Sequence, residues 1–187
     1  LHTLEAHSHP QLITRVLSVL ISVPLSTPAN AQVTSPDLLA AKALLAPKQD
    51  AKLALNLSRS ASMKAMDRED LAWLALMLCE KSPACDATPN ERAFEKEFPT
   101  NGVVWLNALN RSAASGDDDH IHEALKKIAQ AGAVRFHWDS VLGHLARAMH
   151  AADGRDFPDL LDSLDHALAK VTFPDINPAI RACKGPA

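Results

Sequence analysis

The chain is predicted to be all-α: antiparallel helix hairpins stacked on one another, eight or nine helices in all, and no sheet. Three observations predict it. Helix start and stop signals are frequent, while the alternating pattern of strands is almost missing. Apolar residues recur at i, i+3, i+4 and i+7 through several segments. Trp73, Trp105 and Trp138 each sit in an apolar stripe, 32 and 33 residues apart. A period of roughly 30–35 residues is what two short antiparallel helices and their turns require.

The elements follow from local punctuation. Ser35-Pro36 opens a helix over roughly 36–46, which Pro47 stops. A second runs from about Asp50 to Ser60, with Leu53 and Leu57 on one face. Asp67 is expected to cap a helix over 68–81. Its stretch from Leu71 to Cys79 is apolar on all sides and reads as the most buried element. Thr88-Pro89-Asn90-Glu91 has the form of a capping box with proline at the first helical position, and that helix ends at Pro99. Asn101 opens a helix over about 102–115, closed by Gly116. Gly132 and Gly154 close helices near 118–131 and 137–153, since the residue after a helix often takes a positive φ. Another helix runs from Pro158 to before Pro174, and a short one from Pro178 to about Lys184. Three stripes present apolar faces that each need a neighbour: Trp138, Val141, Leu142, Leu145 and Met149; Ile121, Leu125, Ile128 and Ala129; Leu161, Leu164, Leu168 and Val171.

The first residues differ in kind. Arg15, the apolar run from Val16 to Val23, Pro24 and then Ala29-Asn30-Ala31 have the order of a secretory signal peptide. The apolar core is shorter than the roughly 20 residues a bilayer span needs, and no later run is long enough. The expected organisation is a leader over residues 1–31 and one helical domain over 32–187. The mature chain is then expected in the periplasm, or secreted, after cleavage near Ala31-Gln32. The opening Leu1 and the single Arg15 set against Glu5 leave open that residues 1–14 are an over-extended start. The net charge is −3 and the bases are not clustered, which argues against a nucleic-acid surface.

Cys79, Cys85 and Cys183 all follow the leader, where an oxidising compartment favours a disulfide. Three pairings are possible in principle. Cys79 with Cys85 is favoured, because the turn Glu80 to Ala84 can bring their Cα atoms within bridging range. Cys183 is then left over. C-x5-C with no second pair is not zinc spacing.

Pro99-Thr100-Asn101-Gly102-Val103-Val104-Trp105 resembles the junction of a tetratricopeptide repeat, where proline ends one unit, asparagine follows and tryptophan begins the next core. Gly116-Asp117 is similar to that family's turn between paired helices, and Ala124-Leu125 to its second helix. The resemblance covers about 35 residues well. Around Trp73 and Trp138 only the tryptophan and its apolar followers match, and Asp118-Asp119-His120 reads as an insertion after the turn. The resemblance implies a degenerate α-solenoid that binds a partner along a groove formed by its first helices.

In such a groove, positions two, five and six after each tryptophan point away from the core stripe. After Trp105 these are Asn107, Asn110 and Arg111; after Trp138 they are Ser140, Gly143 and His144, with Arg147 one turn on. After Trp73 they are Ala75, Leu78 and Cys79, which are apolar and expected to be covered. Amides, guanidinium groups and an imidazole can grip a peptide backbone or a carboxylate. The same residues are also what the solvated face of a helix carries.

Asp117-Asp118-Asp119-His120-Ile121-His122 is the densest metal-capable cluster. Two residues apart on a helix, His120 and His122 turn to different sides, so they converge only if the segment is unwound. Acidic residues also belong at a helix N-terminus for the dipole alone. No H-E-x-x-H, G-x-S-x-G, P-loop or G-x-G-x-x-G occurs. Ser58, Ser60 and Ser62 read as a serine-rich turn, and Glu91, Glu95 and Glu97 as a solvated face.

The expected role is that of a non-enzymatic periplasmic protein binding a protein or peptide partner, as adaptor, assembly factor or inhibitor. Asn107, Asn110, Arg111, Ser140, His144 and Arg147 would carry the binding, with no cofactor. One alternative is a metal-binding or hydrolytic protein using Asp117, His120 and His122. Another is a structural envelope protein without a specific ligand.

Overall fold

Serine and proline start the first helix as expected. In a computed structural model of the chain, which describes residues 35–171 together with 177, 180 and 181, Ser35 Oγ accepts from the Leu38 N–H at 3.1 Å. Helix α1 then runs Pro36–Leu44. One 3₁₀ turn, Lys48–Asp50, leads into α2 (Ala51–Lys64), followed by α3 (Glu69–Glu80), α4 (Thr88–Glu97) and α5 (Val103–Ser115). Helices α6 (Asp118–Ala131), α7 (Trp138–Asp153) and α8 (Phe157–Val171) complete the array. The described residues hold eight α-helices and no strand. The expected leader, Cys183 and most of the expected helix from Pro178 lie outside the described residues. Gly116, Gly132 and Gly154 follow α5, α6 and α7 directly with φ near +70°, a conformation that costs any residue with a Cβ.

Several local expectations are corrected. Asp67 does not cap α3: Arg68 precedes the helix, and its guanidinium binds Asp70 within the first turn and Asp37 on α1. The capping box does not form, because Thr88 already lies inside α4. Asp86 Oδ1 accepts the Thr88 N–H instead, and Glu91 turns to Arg111. Ser58, Ser60 and Ser62 belong to α2 rather than to a turn. That helix buries Ser58 and Ala61, while Leu53 stays half exposed. The buried residue of α6 is Ala124, and Ala129 faces solvent. In α2 and α6 small side chains, rather than the largest apolar ones, occupy the closest approach to a neighbouring helix.

Adjacent helices form the hairpins α1/α2, α5/α6 and α7/α8, and α3 packs against both α2 and α4. The alanine-rich α1 also lies along α7 and touches α3 and α8, a contact that linear stacking of consecutive units does not provide. Ala40, Ala41 and Ala43 leave almost no exposed surface there, since side chains this small let several helices approach closely. Leu71, Trp73, Leu74, Leu76 and Met77 of α3 join Val141 and Leu145 of α7 and Leu160, Leu164 and Leu168 of α8 in one core. Each fully buried leucine contributes roughly 1.5–3 kcal/mol.

The three indoles are not equivalent. Trp73 is fully buried, whereas Trp105 and Trp138 are only half-buried. Lys127 Nζ stands 5.1 Å over the Trp105 ring, and Trp138 Nε1 donates to Asp165 at 2.9 Å. The long-period spacing is carried better by polar links at the starts of α1, α3, α5 and α7. Arg68 binds Asp37, 31 residues away. Asn101 Nδ2 donates to Glu69, 32 away, and Asn101 Oδ1 accepts from the Arg135 N–H, 34 away. Glu69 lies partly buried: burial works to raise its pKa, yet Asn101, His137 and Arg135 together hold it below the usual carboxylate range. Asp70 behaves alike, with Arg68 outweighing burial.

Candidate functional site

The helices α2 and α4 flank α3 and leave a trough between them, with a cavity volume of about 400 Å³. Ala72, Ala75, Leu76 and Cys79 of α3 form its floor. Leu55, Arg59 and Met63, four residues apart on α2, make one wall, and Ala93, Phe94 and Glu97 of α4 the other. Met66, in the turn after α2, extends the rim. Met63 and Met66 are 69% and 75% exposed, the two most exposed large apolar side chains in the described chain. Both stand at the mouth of the trough, next to its apolar floor.

The predicted disulfide holds one end of this trough. Cys79 and Cys85 are bonded with their Cα atoms 5.3 Å apart, tying the last turn of α3 to the segment that precedes α4. Both cysteines line the trough. A second tie acts on the far side of α4. Arg111 of α5 reaches Glu80 at the end of α3 and Glu91 on α4, each at 2.6 Å. Burial pushes the Glu91 carboxyl up to about 6, and the neighbouring Glu80 adds to this against the pull of Arg111. Lys127 of α6 binds Glu95 at 2.8 Å. The position of α4 is therefore set by one covalent bond, two ion-pair sites and the buried ring of Phe94.

The six residues expected to grip a partner are not all exposed. Asn107 is buried, with its amide against Met77 Sδ at 4.0 Å, because α3 covers that side of α5; it is corrected from a surface ligand to an interior contact. Asn110 is half-buried, and its Oδ1 has no hydrogen-bond partner among the described residues. Both arms of Arg111 are taken by carboxylates. On α7, Ser140 is exposed and donates to the His137 carbonyl, and Arg147 Nη2 lies 3.2 Å from His144 Nδ1. Cys79 is buried as expected, while Ala75, also expected to be covered, is partly exposed on the trough floor.

The Asp117 cluster acts as a helix start. Asp117 Oδ1 accepts the His120 N–H, and its Oδ2 meets His120 Nδ1 at 2.7 Å. Those contacts, the backbone one foremost, hold the Asp117 carboxyl below its ordinary range. His122 turns instead to the Asp118 carbonyl. Among the described residues no group of three or more His, Cys, Asp or Glu side chains is arranged to hold a metal ion. No helix among them is long and apolar enough to cross a membrane.

Sequence reasoning passed over Arg59, Met63 and Met66. The signal that could have found them is the i, i+4, i+8 series Leu55, Arg59, Met63, which becomes visible only once the serine-rich stretch is read as helix. No family model, no curated protein and no solved structure matches this chain at a significant level.

Proposed function

We propose that the chain is an exported, non-enzymatic helical protein that binds a protein or peptide partner, and that the trough between α2 and α4 receives it. The observation carrying this reading is the exposure of Met63 and Met66 above an apolar floor of small side chains. Methionine side chains are flexible and polarizable, and they suit surfaces that must adapt to a partner. The Cys79–Cys85 bond supports an oxidising compartment, in keeping with the leader pattern at Arg15 to Ala31. The reading as a degenerate tetratricopeptide-like array rests on the polar links 31, 32 and 34 residues apart.

A photo-crosslinker placed at Met63 in the full chain, with periplasmic extract of the native host, tests the reading. The expected result is one partner identified by mass spectrometry and lost in Ala75→Trp, a variant that fills the floor, with helicity unchanged. Capture that persists in Ala75→Trp but disappears in Arg147→Glu moves the site to α7 and overturns the trough.

A further inference from the structure

We infer that the partner offers the trough an amphipathic α-helix with an acidic side chain set against Arg59; this rests on the trough being the binding site. Length comes first. The α3 residues of the floor run from Ala72 to Cys79, a rise of about 10 Å, which accommodates about two turns of a second helix. The walls present side chains at helical intervals, 55, 59 and 63 on one side and 93, 94 and 97 on the other. Ridges so spaced accept the ridge of another helix, and Ala72 and Ala75 on the floor let its axis come within roughly 8–10 Å.

Hydrogen bonding separates a helix from an extended peptide. A strand laid on this floor would need partners for its backbone groups, and the floor offers only Ala72, Ala75, Leu76 and Cys79. On the walls Ser58 already donates to the Leu55 carbonyl at 3.0 Å, and Ser62 and Asn90 are single side chains that cannot pair a row of backbone groups. A helix satisfies its own backbone and brings only an apolar face, which is the helix-in-groove mode. Openness separates a helix from an acyl chain. With rim methionines 69% and 75% exposed, an acyl chain would stay partly in water, whereas a helix turns a polar back to solvent.

Arg59 supplies the charge preference. It is the one cation lining the trough, and it makes no ion pair or hydrogen bond with any described residue; the one carboxylate lining it, Glu97, stands on the opposite α4 wall, 3.8 Å from Lys96 Nζ. A guanidinium beside apolar surface selects a carboxylate on the incoming chain, and the same field repels a base.

The test uses the full, oxidised chain and a fluorescein-labelled amphipathic peptide of about 14 residues. Its leucines lie at i, i+3, i+4 and i+7 beside one central glutamate, and a second peptide carries lysine there. Anisotropy titration is expected to show the glutamate peptide binding about tenfold tighter than the lysine one. The order should reverse on Arg59→Glu, and both should fail on Ala75→Trp. Equal affinities on the unaltered protein, or a preference that Arg59→Glu leaves in place, overturn the inference. So does binding of dodecanoate by a chain that binds neither peptide. If neither peptide binds while crosslinking from Met63 remains sensitive to Ala75→Trp, the helix inference fails and the binding site stands. Loss of that sensitivity ends both.

Discussion

The carboxamide of Asn101 holds the carboxylate of Glu69, Nδ2 to Oε1 at 2.7 Å, across 32 residues of chain. Asn101 is 2% exposed, and its other contacts are all to backbone: the Arg135 carbonyl and the N–H groups of Val103 and Arg135. One side chain thus joins the starts of α3, α5 and α7. Asn101→Ala leaves those backbone groups and Glu69 without it, so the expected cost is about 2–3 kcal/mol. Urea denaturation measures it; a loss below about 0.5 kcal/mol would mean that water replaces the amide freely.

The indoles should differ in weight as they differ in burial. Trp73→Ala empties a fully buried site and should cost about 3–5 kcal/mol. Trp73→Phe should cost much less, because the buried Trp73 Nε1 has no hydrogen-bond partner among the described residues. Trp105→Ala, at a half-buried ring under Lys127, should cost about 1–2 kcal/mol. Equal losses at the two alanine sites would restore the picture of equivalent repeats.

Removing the bridge with Cys79→Ala and Cys85→Ala should lower stability by about 2–3 kcal/mol, as expected for closing so short a loop. It should also reduce crosslinking from Met63, because α4 loses its covalent tie to α3. A non-reduced digest should contain Cys79 and Cys85 in one linked peptide. A link from either to Cys183 would contradict the structure.

Stability should rise as pH falls from 7.5 toward 5. Folded, Glu91 holds its proton up to about pH 6; unfolded, it releases it near 4.5. Between these values the native chain binds more protons. Its contribution is therefore complete below about 4.5 and is lost as pH rises through about 6, an effect of about 1–2 kcal/mol. Glu69 and Asp70, whose pKa values are lowered, act in the opposite sense and at lower pH: their stabilisation is lost only as pH falls through the folded values. Melting temperatures of Glu91→Gln should be flat between pH 5 and 7.5 and higher than those of the parent at pH 7.5. An unchanged slope would place the titration elsewhere.

Helix type and most helix ends were legible along the chain because they depend on atoms within a few residues. Ser35-Pro36 starts α1 and Gly116, Gly132 and Gly154 end helices wherever they occur, and the stripe through Val141, Leu145 and Met149 needs no knowledge of its neighbour to be apolar. The pairing of Cys79 with Cys85 was equally local. The capping box at Thr88 failed because α4 begins at Thr88 itself, and Glu91 binds Arg111 of another helix.

Which faces meet was decided only in three dimensions. A stripe says that a face must be covered and is silent on what covers it. Asn107 and Asn110 were placed outside by counting from Trp105, yet α3 closes over Asn107; Ala75 was placed inside, yet α2 and α4 stand apart above it. Likewise, no local pattern sends α1 against α7. Secondary structure is set by short-range backbone and side-chain chemistry, whereas a trough is the space that several helices jointly leave unfilled, and no single helix encodes it.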